Sequence, residues 1–377
     1  MTGRNVIVIA VLATVVVASA AVSISLFQND NKGSPDPDIP APDIPDLEPD
    51  YPEGVSFDPG TGTLSYVEEV TWSVTDELAA YVDRKTETTT GATAVLDKGL
   101  YSVSIGDDPF YVVVPGKETV HLDWDYKFNG ETFTIAVNYD VDIAELSKVT
   151  VYNRGWNDGS NNNLFVNLPK QVYVNDTVRD IVSQLKDAYI GIGGSMDDRQ
   201  SYTDFIVSLA QLGIVYPPWE MIPGTDIQSP DYHYWGQNEY WANTLETLYL
   251  GKGDCEDSSA VACSLFIAAG FRTAMVGGAD HVMSSVSLDN FEKRDTPKYG
   301  PIMISFDEAT SASAHYVSDA SVTYYGVDTT KGQTPVGYLT KEQLKYINAD
   351  SDAKASRPQG MSGYYSVSGY GSDSIED

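Results

Sequence analysis

The sequence predicts an α+β protein, on three observations. From residue 55 to about 140 the apolar residues fall in short alternating or β-branched runs; from about 175 to 270 they recur at helical spacing; beyond 270 the strand-like runs return. Helices gathered ahead of a group of strands make an α+β arrangement with an antiparallel sheet.

The elements follow in chain order. Val6 to Phe27 carries no charge and follows Arg4 and the terminal amine, so it is long enough to cross the hydrocarbon layer as one helix. Ala18-Ser19-Ala20 also has the small-x-small form of a cleavage site, and Thr14, Ser19, Ser23 and Ser25 weaken the distal half. Residues 1–27 are therefore an N-terminal membrane anchor or a cleaved signal segment. Either way the bulk of the chain is expected outside the cell, single-pass at the cell membrane or secreted. Residues 28–54 turn to Pro, Asp and small residues, as in Pro35-Asp36-Pro37-Asp38. Fixed φ angles and repelling acids make that an extended linker.

Residues 55–119 predict a β-rich module. Tyr101-Ser102-Val103-Ser104-Ile105 and Phe110-Tyr111-Val112-Val113-Val114 alternate or branch at Cβ, and Asp58-Pro59-Gly60 and Gly106-Asp107-Asp108-Pro109 punctuate them. Phe133 to Val137 continues the strand style. Val178, Ile181, Val182, Leu185 and Tyr189 then recur at helical spacing behind the caps Asn175 and Thr177, and Phe205, Leu209 and Leu212 do the same. An almost unbroken apolar run from Ala260 to Ala269, stopped by Gly270, predicts a buried helix. Strands are expected over 273–276, 282–288, 302–306 and 322–327. Residues 351–377 are rich in Gly, Ser and Tyr and read as a disordered tail.

Charge excludes whole classes of partner. With 23 basic against 54 acidic side chains the net charge is -31, whereas nucleic acid and anionic lipid both demand a basic surface. The acidity reads first as solubility in a salty or extracellular medium, ahead of an acidic binding surface.

The chain has two cysteines, eight positions apart on the same predicted helix. That separation is about 12 Å along the axis, beyond disulfide reach. Cys263 falls inside the apolar run and reads as core. Cys255 instead stands in Gly253-Asp254-Cys255-Glu256-Asp257-Ser258-Ser259, at a first helical turn where free N–H groups and the dipole favour thiolate. Its bland alternative is a small buried hydrophobe, the usual fate of a free Cys.

His281 follows Gly277-Gly278-Ala279-Asp280 at the start of a strand pattern, and Asp328 follows the strand residues Tyr324 and Tyr325. A Cys, His, Asp set in this order suits thiol acyl transfer. The bland alternatives are a turn histidine and a strand-end acid. Asp307, in Ile304-Ser305-Phe306-Asp307, is a rival third member. His121, His233 and His315 have no comparable setting. Asp254, Glu256 and Asp257 either cap the helix or offer oxygens to a hard cation. No spacing suggests zinc.

Glu239-Tyr240-Trp241-Ala242-Asn243-Thr244-Leu245-Glu246-Thr247-Leu248, Gly253-Asp254-Cys255-Glu256-Asp257, Asp280-His281-Val282 and Tyr324-Tyr325-Gly326-Val327-Asp328-Thr329-Thr330 together resemble the transglutaminase-like cysteine peptidase superfamily. The likeness is to its prokaryotic, extracytoplasmic branch and covers residues 120–350. It implies a papain/transglutaminase-like core of helices with an antiparallel sheet, behind the β module, acidic linker and anchor. It also implies Cys255 as nucleophile, His281 as its base and Asp328 as the acid orienting the imidazole, acting on protein or peptide amides as a protease or amidase. The longer gap between His281 and Asp328 implies an insertion around residues 290–318. No cofactor is required, but bacterial periplasmic relatives bind calcium near this motif, which points to Asp254, Glu256 and Asp257. Glu246, Tyr240 and Trp241 match the upstream segment and are expected to pack and position the helix; Gln211 and Trp219 are candidate second oxyanion donors beside the Cys255 N–H. Two alternatives stay open: a surface adhesion or envelope-binding protein that keeps the fold without the activity, and an amine-accepting transglutaminase.

Overall fold

The structure, a computed structural model of the chain, describes residues 44–47, 50–156, 170–277, 281–292, 299–301, 303–305, 323–330, 332–340, 354–357 and 361–366. The N-terminal apolar stretch, most of the linker, Asp307 and His315 lie outside them. No helix among the described residues is long and apolar enough to cross a membrane.

The alternating runs of the amino-terminal part pair as strands. Thr63–Asp76 pairs antiparallel with Ser56–Asp58, Thr86–Val95 and Gly99–Ile105, and Asp108–Val114 pairs with Gly99–Ile105. The two-residue period sends alternate side chains to one face, where Leu64, Trp72, Val103, Phe110 and Val112 form a small core of their own. A long hairpin follows, Lys117–Phe128 against Glu131–Asp142. Its turn has positive φ at both Asn129 (50°) and Gly130 (83°), the geometry that matches strand twist and favours Asn-Gly. The inward residues of this hairpin, Trp124, Tyr126, Ile135, Val137, Tyr139 and Val141, join the main core.

That main core is built from helices against a sheet. Asp176–Gly191 is capped by Asn175, whose side chain accepts from the Val178 N–H, and it buries the stripe Val178, Ile181, Val182, Leu185 and Tyr189. Arg199–Ser208 stops short of the expected run: from Leu209 to Gly213 the winding widens into a π-turn. Such turns re-aim side chains and recur at functional sites. Cys255–Ala268 packs directly on the sheet, and Thr244–Leu250 packs on that helix.

Among the described residues the main sheet has eight strands. Thr273–Gly277, Val282–Ser287 and Thr323–Val327 lie side by side and antiparallel at its middle. Met303–Ser305 also pairs with Thr323–Val327, while Tyr338–Thr340 meets it in parallel and pairs with Tyr299–Pro301. The class is α+β, as the sequence predicts.

Part of the segment expected to be a disordered tail is instead strand. Lys354–Arg357 pairs with Thr273–Gly277, and Met361–Ser366 pairs with Lys354–Arg357. A sheet edge presents a row of unpaired N–H and C=O groups to any segment able to extend. Composition alone carries no record of that template.

Candidate active site

Local sequence dictates where the Cys255 helix starts. Thr244–Leu250 ends at Gly251, and two residues later a Cβ on Gly253 would lie 2.6 Å from the Asp257 Cβ and 2.8 Å from the Thr247 Cγ2. Only glycine lets the chain pass that close. Cys255–Ala268 then begins with Asp254 at the cap position, but the Asp254 side chain makes no capping hydrogen bond. Asp257 turns away from the helix as well, and its Oδ1 accepts the Ala242 N–H at 2.7 Å. Reciprocal capping by these two acids is therefore replaced by another arrangement.

Cys255 is half-buried and packs against Val282, the residue after His281. The sheet brings the third residue in: Ser284 faces Val327 in the antiparallel register, which runs His281 towards Asp328. His281 Nε2 and Asp328 Oδ2 are 2.9 Å apart. Ser259, one turn below Cys255, ties the helix to both strands through the Val282 carbonyl and the Thr329 hydroxyl, each at 3.3 Å.

Asp328 is fully buried. Burial pushes its carboxyl up, but the hydrogen bond and charge of His281, with the Thr330 N–H and hydroxyl on Oδ1, outweigh that and hold it below 3.8. An ionised carboxylate only accepts, so Nε2 carries the donated hydrogen and Nδ1 is the ring nitrogen left to take a proton.

The thiol reverses the expectation drawn from the helix start. Burial, and then the Asp254 charge, push Cys255 far above its ordinary range; the Glu256 contact and the Val282 N–H help the thiolate less. The sulfur donates to Glu256 Oε2 at 3.1 Å. A helix dipole acts through its first-turn N–H groups, and here desolvation and adjacent carboxylates outweigh it.

Those carboxylates form a cluster larger than the local motif. Asp231, Asp254, Glu256 and Asp257 are buried, and Glu239 joins at the rim. Ligand atoms of Asp231, Glu239 and Glu256, and again of Asp231, Asp254 and Asp257, lie within 4.8 Å of one another. Burial pushes Asp254 up to about 6 and raises Asp231, Glu256 and Asp257 well above the usual carboxylate range. Among the described residues none of the four pairs with a lysine or arginine. Asp254 Oδ1 and Glu256 Oε1 are buried without a hydrogen-bond partner. Asp231 stands 23 positions before Asp254, so no local pattern announces it; Glu239 opens the upstream segment and was legible only as part of that likeness.

The upstream segment is held from behind. Asn153 Nδ2, on the helix Ile143–Trp156, reaches the Tyr240 hydroxyl (3.2 Å), the Trp241 carbonyl (2.8 Å) and Glu246 Oε2 (2.7 Å). Glu246 also accepts from the Tyr240 hydroxyl and the Asn243 N–H. Through Ala242 and Asp257 this frame reaches the Cys255 helix. Asn153→Ala strips a buried carboxylate of a donor and is expected to cost about 1–3 kcal/mol; denaturant unfolding measures it.

Gln211, on the π-turn, gives Nε2 to the Asp328 carbonyl (2.9 Å) and the Thr334 carbonyl (2.8 Å). Its donors are spent on fixing the Asp328 segment and leave nothing for an oxyanion. Trp219 is 61 % exposed. His121 and His233 make their contacts elsewhere, with Asn138 and Glu220.

Fold and site together define an α+β protein with a half-buried thiol at a helix start, a half-buried histidine paired with a buried aspartate at the adjoining strands and a carboxylate cluster beside them. No protein-family model matches this sequence, and no curated protein matches it.

Proposed function

We propose that the protein is a thiol acyl-transfer enzyme of the transglutaminase-like kind, most simply a protease or amidase acting on protein or peptide amides. The observation that carries this is the His281–Asp328 hydrogen bond at 2.9 Å, on strands tied by Ser259 to the helix that begins with Cys255. In this scheme His281 takes the Cys255 proton at Nδ1, and Asp328 fixes the ring and stabilises the imidazolium. The sulfur attacks the amide carbonyl, the Cys255 N–H at the helix start faces the developing oxyanion, and the protonated imidazole returns its proton to the leaving amine. Water then opens the thioester, with His281 again as base. The test is a thiol-alkylating probe at neutral pH: Cys255 should react much faster than Cys263, whose burial is complete. Equal rates in the folded protein would remove the reading.

The acid cluster suits a hard cation, and calcium prefers such oxygen sets. Two orphaned buried oxygens and the absence of a basic partner among the described residues fit that role. Asp254, Glu256 and Asp257, joined by Asp231 and Glu239, would hold the ion. Its charge would offset the carboxylates that oppose thiolate formation. Calcium at a hundredfold excess over Kd should add about 2.7 kcal/mol of stability, raising Tm by several degrees, and a chelator should remove both that gain and the activity.

The pH dependence has a definite sign. Asp254 is raised from 3.8 to about 6, so between those values the folded state holds a proton that the unfolded chain has released. Calcium-free stability should therefore fall as pH rises from about 4 through 6, and calcium should flatten that slope. Melting curves with chelator and with calcium across this window measure it.

A second reading has one observation in its favour. The Cys255 thiol is pushed up and donates to Glu256, as suits a binding protein that keeps the fold without turnover. A slow Cys255 in saturating calcium would favour it.

A further inference from the structure

Large exposed apolar side chains gather on one stretch of chain. Val215 (56 % exposed), Tyr216, Trp219 (61 %), Met221 (50 %) and Ile227 all lie on the excursion between residues 215 and 227. The excursion is ordered by its own hydrogen bonds. Glu220–Met221 pairs with Gln228–Ser229, the Ile222 N–H donates to the Ile227 carbonyl at 2.8 Å, and Glu220 Oε1 lies 3.1 Å from His233 Nδ1.

Both of its roots lie at the thiol. The Val215 N–H donates to the Gly251 carbonyl, and the Val215 carbonyl accepts from Gly253, two residues before Cys255. The other end runs through Ser229 to Asp231 of the carboxylate cluster. Tyr216 adjoins Val215 at the root nearest the thiol and is left open to solvent. Ordered apolar patches left open to solvent mark binding surfaces, and Trp, Tyr and Met are the residues enriched at the centres of interfaces.

We propose that this platform is the substrate-docking subsite: it seats an extended peptide segment with a large aliphatic or aromatic side chain beside the amide that Cys255 attacks, and without acidic residues. Contiguity with Cys255 selects a substrate segment as the occupant. Charge selects its composition, since Glu220 and Asp226 on the excursion repel carboxylates. The proposal rests on the reading of Cys255 as a reactive thiol.

Three peptidyl chloromethyl ketones test it on the full chain in calcium, carrying Phe-Leu, Gly-Gly or Glu-Glu. Each alkylates by displacement of chloride by the Cys255 sulfur. Rates are divided by the iodoacetamide rate of the same protein. Phe-Leu should exceed Gly-Gly roughly tenfold or more, Glu-Glu should be slowest, and the double variant Trp219→Ala, Met221→Ala should lose the preference. Equal rates for Phe-Leu and Gly-Gly, or a preference kept by the variant, overturn the subsite while leaving the thiol reading intact. No iodoacetamide labelling of Cys255 overturns both. A dimer in sedimentation that the double variant abolishes assigns the face to a second copy of the chain and overturns the subsite.

Discussion

Cys255→Ala is expected to abolish turnover, by about 10⁴-fold or more, while leaving circular dichroism and Tm nearly unchanged. The sulfur is half-buried, and its hydrogen bond is to Glu256, a side chain whose carboxyl burial already pushes up. Removing the thiol therefore removes the attacking atom and takes little from the core. The raised thiol is uncharged, so its removal leaves the charge of the carboxylate cluster unchanged, and calcium binding should persist in the variant. Turnover that survives in a folded Cys255→Ala protein would exclude the thiol from the chemistry. Cys263→Ala serves as the contrast: that residue is fully buried and takes the Thr273 hydroxyl at 3.2 Å, so its loss should register in stability and leave chemistry alone.

His281→Ala and Asp328→Ala should each lower kcat by about 10² to 10⁴-fold, the usual worth of a positioned acid–base group. They should differ in stability. Asp328 accepts from His281 and twice from Thr330 with no exposure at all, so its loss strands three donors. His281 sits half-buried at the strand start and leaves less behind. Because the Asp328 carboxyl is held below 3.8, its contribution to stability is present above that pH and is lost as pH falls further. Asp307→Ala is the control for the rival acid. A larger loss of activity from Asp307→Ala than from Asp328→Ala would transfer the third role to Asp307, which lies outside the described residues.

Much of the architecture is legible because its causes are local. The stripe from Val178 to Tyr189 and the Asn175 cap each rest on a few neighbouring residues, and each forms where spacing puts it. The start of the Cys255 helix is local too, since Gly251 and Gly253 fix the approach. The exceptions share a physical reason. The helix carrying Phe205 changes winding at Leu209 so that Gln211 can reach two carbonyls more than a hundred positions away. The tail strands form because another part of the chain offers them an edge.

The candidate site divides along the same line. Sequence by itself determined the α+β class, the polar helix start around Cys255 and the acids flanking it, because periodicity, turns and caps act over a few residues. Tertiary structure alone decided that His281 meets Asp328 across paired strands, that Asp231 and Glu239 enlarge the acid cluster, and that burial is the largest of the influences raising the thiol. Each of those depends on how much water is excluded and on which distant charges are brought near. Desolvation and Coulomb terms are properties of the folded neighbourhood, and a helix-start dipole read from seven residues is smaller than their sum.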